Sequence, residues 1–253
     1  MVTSDQRRRQ LARDKYARQQ QRRAEAQRKA KRRNIVIAAS LAVVLAAGGA
    51  VYGSVQLLGN DTKDTSKGAE ETPSGEPAMS IEAQGTYDMA LKTNEGDITI
   101  SMDAAKTPRT VNSFKHLADK KYFDGTKCHR LTTAGIFVLQ CGDPEGTGMG
   151  GPGYTIPDEN LDALGKPGAD GKVTYKAGTV AMANTGQPGT GGSQFFLVYK
   201  DSKLPPQYTP FGTIDAAGLA AVQKVGAAGV EGGQGDGAPK KPVTIAKATV
   251  TAK

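Results

Sequence analysis

The chain has 253 residues, 38% of them hydrophobic and 6% aromatic, enough for one sizeable core. Its formal net charge of +8 is concentrated in residues 1–33, which hold thirteen Lys or Arg against Asp5, Asp14 and Glu25, while the rest of the chain is slightly acidic. The basic pI therefore describes this N-terminal arm and says nothing about the folded part, and the two cysteines, Cys128 and Cys141, lie too far along for a lipid-modified cysteine behind an N-terminal apolar run.

The basic arm, 1–33, taken alone has the Arg/Lys clustering of a phosphate-binding tail and could serve as a nucleic-acid or ribosome tether. The adjoining segment argues against nucleic acid as its partner. From Ile35 to Leu58 the chain carries no charge at all, IVIAASLAVVLAAGGAVYGSVQLL. A run of this length predicts a single transmembrane helix over 34–58, because roughly 20 apolar residues span a bilayer. Both the charged region and the apolar run exceed those of a cleaved signal peptide. On this reading the arm is a positive-inside flank lying against anionic lipid headgroups. The protein is then single-pass in the cytoplasmic membrane, N-terminus cytoplasmic and folded domain extracytoplasmic. Residues 59–79, rich in Gly, Ser, Thr, Pro and acids, read as a flexible linker.

The folded domain is expected over 80–253. YDMALKT (87–93) and GDITISM (96–102) alternate apolar and polar residues around Asn94-Glu95-Gly96, which predicts a hairpin. A helix comes next, capped by Thr107, with Pro108 in its first position and Val111, Phe114, Leu117 and Ala118 on one stripe. Further strands are predicted at 127–131, 136–141, 178–183, 194–199, 210–214 and 243–251, and a second helix at 216–225. Many short strands with two helices indicate an antiparallel barrel whose open ends the helices cover. Gly142 to Lys176 reads as a long surface loop of the functional kind.

Several motifs recur in order: TPRTVNSFKHLA (107–118), FDGTKCHRL (123–131), FVLQCGDPEGTGMGG (137–151), AMANTG (181–186), GSQFFLV (192–198) and PFGTI (210–214). Over residues 85–252 the chain resembles the cyclophilin family of peptidyl-prolyl isomerases. The resemblance implies a mainly β fold, an eight-stranded antiparallel barrel capped by two α-helices, with a proline-binding groove on its outer face. It implies an isomerase of X-Pro bonds in proline-containing polypeptides, with no cofactor and no metal. Carried over by position, Arg130 is the catalytic guanidinium and Gln140 hydrogen-bonds the substrate backbone. Phe137, Val138, Phe196, Leu204 and Tyr208 shape the proline pocket, and Ala183 and Asn184 line the groove. Combined with the expected anchor, this is a bacterial membrane-anchored form that meets newly exported chains.

The residue types suit the chemistry. As an amide twists, its nitrogen gains a lone pair, so a fixed cationic donor stabilises the twisted state more than either planar one. Apolar walls disfavour the charge-separated planar form. Lys203 stands beside Leu204 where many cyclophilins carry tryptophan, which argues against tight binding of cyclosporin. Val138, Tyr208 and a longer loop between Arg130 and Phe137 also depart from the common pattern.

Other readings are weaker. A non-catalytic proline-peptide-binding module or chaperone would use the same groove without rate enhancement. Gly146 to Gly151 matches G-x-G-x-x-G but lacks the surrounding βαβ unit. Ser193 lacks a hydrolase elbow, and His116, His129, Cys128 and Cys141 lack paired zinc-ligand spacing. An antiparallel pairing of their strands can bring Cys128 and Cys141 together, and a disulfide then requires Cα atoms within about 7 Å. Phe195 is expected in the core because its neighbour Phe196 faces the groove, and His129 on the face opposite Arg130.

Overall fold

Alternating side chains build the first hairpin. In the computed structural model, which describes residues 75–253, strands β1 (Thr86–Thr93) and β2 (Ile98–Asp103) pair antiparallel, and Met89, Leu91, Ile100 and Met102 point into the core. Helix α1 (Pro108–Asp119) buries Val111, Phe114, Leu117 and Ala118. Its N-terminus differs from expectation, since the Thr107 hydroxyl donates back to the Asp103 carbonyl at 3.1 Å and makes no cap. Glu159 caps it instead, from the long loop. Its carboxylate accepts from the amides of Arg109 and Thr110 at 3.1 and 2.9 Å and from the Thr110 hydroxyl at 2.7 Å. A carboxylate there also opposes the positive end of the helix dipole.

The principal sheet then adds β3 (Thr126–Cys128), β4 (Arg130–Thr132), β5 (Val138–Cys141), β7 (Thr179–Met182), β8 (Phe195–Val198), β10 (Pro210–Ile214), β11 (Asp236–Gly237) and β12 (Val243–Ala252). Its order is β11-β4-β5-β8-β7-β10-β2-β1-β12-β3. Strands β3 and β4 are parted only by His129, so β12 and β5 bind one continuous segment and the sheet closes around the core. The hydrogen-bonded count is ten rather than the expected eight because that segment breaks at His129 and the two-residue β11 joins β4. A separate two-stranded sheet, β6 (Val173–Tyr175) with β9 (Ser202–Leu204), was not expected.

Inside, Phe114 packs on Phe123, Phe195 and Phe211 with ring centroids 5.5, 5.5 and 4.7 Å away. Helix α2 (Ala216–Ala228) is capped by Asp215, whose carboxylate accepts from the Gly218 amide at 2.9 Å. It buries Val222 and Val225. Glycine is needed at 226, where a Cβ would come within 2.5 Å of the Tyr199 ring. Residues 76–80, assigned to the linker and domain edge, are tied to α1. Arg109 Nε donates to the buried Glu76 carboxylate at 2.7 Å, and Asn112 holds Pro77, Ala78 and Ser80.

The membrane expectations are corrected. Among the described residues no helix is long and apolar enough to cross a membrane. Helices α1 and α2 have 12 and 13 residues, at about 1.5 Å per residue well short of a bilayer core. The transmembrane helix expected over 34–58, like the basic arm 1–33, lies outside the described residues. Nothing described supports a membrane-anchored form, a membrane partner through residues 35–58, lipid headgroups at the arm or a single-pass location, and these are set aside.

Candidate active site

Register places the expected residues side by side. Arg130 on β4 lies opposite Gln140 on β5, Gln140 opposite Phe196 on β8, and Phe196 opposite Ala181 on β7. Since alternate strand residues face opposite ways, this row stands on the outer face, while Leu131, Leu139, Phe195 and Val180 turn into the core.

Around Phe196 an outer apolar cluster forms from Val138, Val173, Tyr175, Ala181, Val198 and Leu204, with Ala183 and Tyr208 packed against it. Phe196 is 5% exposed, and Tyr208 meets its ring edge-on at 5.5 Å. The buried Tyr175 lies 6.2 Å from Phe196 and donates its hydroxyl to the Tyr208 carbonyl at 2.9 Å. Burial pushes the Tyr175 phenol up to about 12, so it remains a donor. Tyr175 and Val173 come from the stretch read as loop, through β6. Phe137 goes elsewhere. Its ring meets Tyr199 at 6.0 Å with Lys200 Nζ 4.5 Å above it, and it lines a separate cavity of about 610 Å³.

A chain of polar groups runs along the cluster. Arg130 Nη1 donates to Gln140 Oε1 at 3.2 Å, Gln140 Nε2 to Gln194 Oε1 at 2.8 Å, and Gln194 Nε2 to the Gly150 carbonyl at 2.8 Å. The other side of the guanidinium is held by Asp236, which accepts from Nε at 2.8 Å and Nη2 at 2.7 Å. The hydrogen bond to Asp236 raises the Arg130 pKa against the opposing effect of burial, and the same bond lowers the Asp236 carboxyl. Gln194 lies within the GSQFFLV motif itself and was in principle findable. Asp236 sits in a glycine-rich stretch with no sequence signal.

Beside the cluster lies a groove of about 860 Å³ lined by Gln140, Met149, Gly150, Ala183, Asn184 and Gln194. The Asn184 side chain donates to the Gln207 carbonyl at 2.7 Å and accepts from the Gly186 amide at 3.0 Å, so its rotamer is set from both ends. The opposite wall is shaped by buried Asp143, whose carboxylate accepts from the amides of Glu145, Thr147, Gly148 and Gly150 at 2.6–3.2 Å. A Cβ at Gly150 would stand 2.0 Å from that carboxylate.

A disulfide joins Cys128 to Cys141, with Cα atoms 4.0 Å apart, next to His129 and Gln140. The His129 ring nitrogens are buried without a hydrogen-bond partner, and burial lowers its pKa. Among the described residues no cluster of three or more His, Cys, Asp or Glu could hold a metal. Lys203 is exposed, with Nζ 3.5 Å from Asp170.

Residues 88–250 match the family model described as cyclophilin type peptidyl-prolyl cis-trans isomerase/CLD. A protein of Mycobacterium tuberculosis named probable peptidyl-prolyl cis-trans isomerase B is 51% identical over 161 residues, covering 62% of this chain and 52% of the relative. Its namesake in Mycobacterium leprae is 48% identical over 169 residues, covering 63% and 55%. The chain thus spans about half the length of these curated relatives. A crystal structure of a cyclophilin type isomerase from Cryptosporidium parvum is similar at 25% identity and a TM-score of 0.53, covering 66% of this chain and 99% of that one. A second structure of that protein, in the presence of the dipeptide Ala-Pro, gives a TM-score of 0.52.

Proposed function

Because the chain belongs to the cyclophilin type peptidyl-prolyl cis-trans isomerase family, an enzyme family, we propose that its domain rotates X-Pro bonds in polypeptides without a covalent step. The observation that carries this reading is the row Arg130, Gln140 and Phe196 on three neighbouring strands, a cation, an amide and an apolar floor in register. The proline ring rests on Phe196 between Val138, Leu204 and Tyr208. The flanking peptide runs extended through the groove by Ala183 and Asn184, with its backbone on Gln140. Arg130 donates to the proline nitrogen as that nitrogen pyramidalises in the twisted state. A related structure obtained with Ala-Pro present is consistent with such a ligand.

The energetics suit one donor. Uncatalysed X-Pro rotation takes about tens to hundreds of seconds, and reaching about 10 per second requires roughly 10³-fold, or about 4 kcal/mol. A single preorganised donor typically contributes roughly 3–4 kcal/mol. Phe137 is assigned no contact with the proline, since it packs on Tyr199.

The test is a proline-isomerisation assay of wild type and Arg130→Ala on a short X-Pro peptide. The variant is expected to lose about 10²–10³-fold in kcat/KM. Wild type that binds the peptide without accelerating rotation would overturn the reading in favour of a non-catalytic module.

A further inference from the structure

The guanidinium of Arg130 is held more completely than a surface ion pair requires. Nε and Nη2 donate side by side to the two oxygens of Asp236, and Nη1 donates to Gln140. A guanidinium has five N–H bonds, so one remains on each terminal nitrogen, and both hang on a plane that Asp236 and Gln140 together orient. We infer that Asp236 is a positioning residue, which aims the free N–H bonds of Arg130 at the proline nitrogen.

The backbone around Asp236 supports this. The residue sits on β11, where it lies opposite Thr132 while Gly237 lies opposite Leu131, so register sets its carboxylate beside the strand that carries Arg130. The Thr133 amide donates to the Gly235 carbonyl at 2.8 Å, which pins the same approach. Glycines on both sides make it possible. A Cβ at Gly235 would come within 2.9 Å of Ala134, and one at Gly237 within 2.9 Å of Val230. The pair itself is half exposed, with side chains 39% and 55% accessible, and exposed ion pairs add little to stability. Geometry is the better account. A bidentate fork fixes the plane and rotation of the guanidinium in a way that a single contact to Gln140 does not.

The inference rests on the isomerase reading, and kinetics of the full chain on an X-Pro peptide separate the two. Asp236→Ala is expected to lower kcat about tenfold, the scale of a displaced but still present catalytic group, with KM changed less than twofold. Asp236→Glu should recover part of the loss, and Asp236→Asn, nearly isosteric, guards against misfolding. In an Arg130→Lys background, where no fork can form, the effect of Asp236→Ala should shrink below twofold. The Arg130 Nε–H resonance is expected to be sharp in wild type, where Asp236 accepts from it at 2.8 Å, and to broaden or exchange away in Asp236→Ala. An active wild type whose kcat is indifferent to Asp236, or an equal loss in the Arg130→Lys background, overturns the inference alone. A wild type without isomerase activity overturns the isomerase reading and this inference with it.

Discussion

Gln140 lies directly opposite Phe196 across the β5–β8 ladder, and the next pair along is Cys141 with Phe195. This single step divides two adjacent phenylalanines between two environments. Phe195 enters the aromatic core with Phe114 and Phe123, whereas Phe196 floors the outer cluster beside the polar row. Slippage by one residue would exchange them and dismantle both at once.

Substitution should separate the two roles. Phe195→Leu is expected to cost about 1–2 kcal/mol of stability, read as a lower urea midpoint, and to leave kcat/KM of the folded protein within about twofold. Phe196→Leu should instead raise KM for an X-Pro peptide about tenfold, the loss of one good apolar contact. Equal effects of both on KM would contradict the division.

The disulfide gives a second expectation. Cys128 and Cys141 are buried and 13 residues apart, a loop whose closure is worth about 3 kcal/mol in the chain-entropy account. Alkylation of the denatured protein should add mass only after reductant. The double variant Cys128→Ala, Cys141→Ala should lose about 2–3 kcal/mol in urea unfolding. Labelling without reductant would show the thiols free.

Strand periodicity carried much of the fold. The hairpin at β1 and β2, the apolar stripe of α1 and the strand 210–214 were legible because each buries one face, and period alone then sets orientation. The same alternation separated Phe195 from Phe196. Phe137, just ahead of β5, packs on Tyr199 rather than beside Val138 and Phe196, the side that alternation with Val138 assigns it. Contacts formed by tertiary approach left no trace in local pattern. Asp236 reaches Arg130 from 106 residues away through a two-residue strand, and Glu159 caps a helix 49 residues earlier. Tyr175 was hidden because β6 has three residues in a glycine-rich stretch, too few to display a period.

Glu159 provides a third test, since its carboxylate satisfies two amides in the first turn of α1 and the Thr110 hydroxyl. Glu159→Ala should cost about 1–2 kcal/mol, the range for loss of a helix cap with its charge. Thr107→Ala should cost less, because its hydroxyl bonds to Asp103 rather than capping the helix. Urea midpoints of the two variants decide the order, and a larger loss at Thr107 would return the cap to that residue.

Asp143 makes the pH dependence specific. Burial pushes its carboxyl up, yet the amide bonds from Glu145, Gly150, Gly148 and Thr147 together outweigh that and hold it below the usual aspartate value. A depressed pKa contributes stability that is complete above the unfolded value of about 3.9 and disappears as pH falls through the lower folded value. The folded state should therefore weaken as pH drops below about 4, with part of that slope owed to this one group. Asp103, Asp170, Asp201 and Asp236 are also depressed, so the measurement is a difference. Asp143→Asn should be less stable at pH 7 by about 1–2 kcal/mol, since a neutral amide oxygen cannot accept from four N–H groups as the buried carboxylate does. Its urea midpoint should also fall less steeply than wild type between about pH 4 and pH 2. Parallel acid slopes in the two proteins would mean that the buried carboxylate is not what links the groove wall to pH.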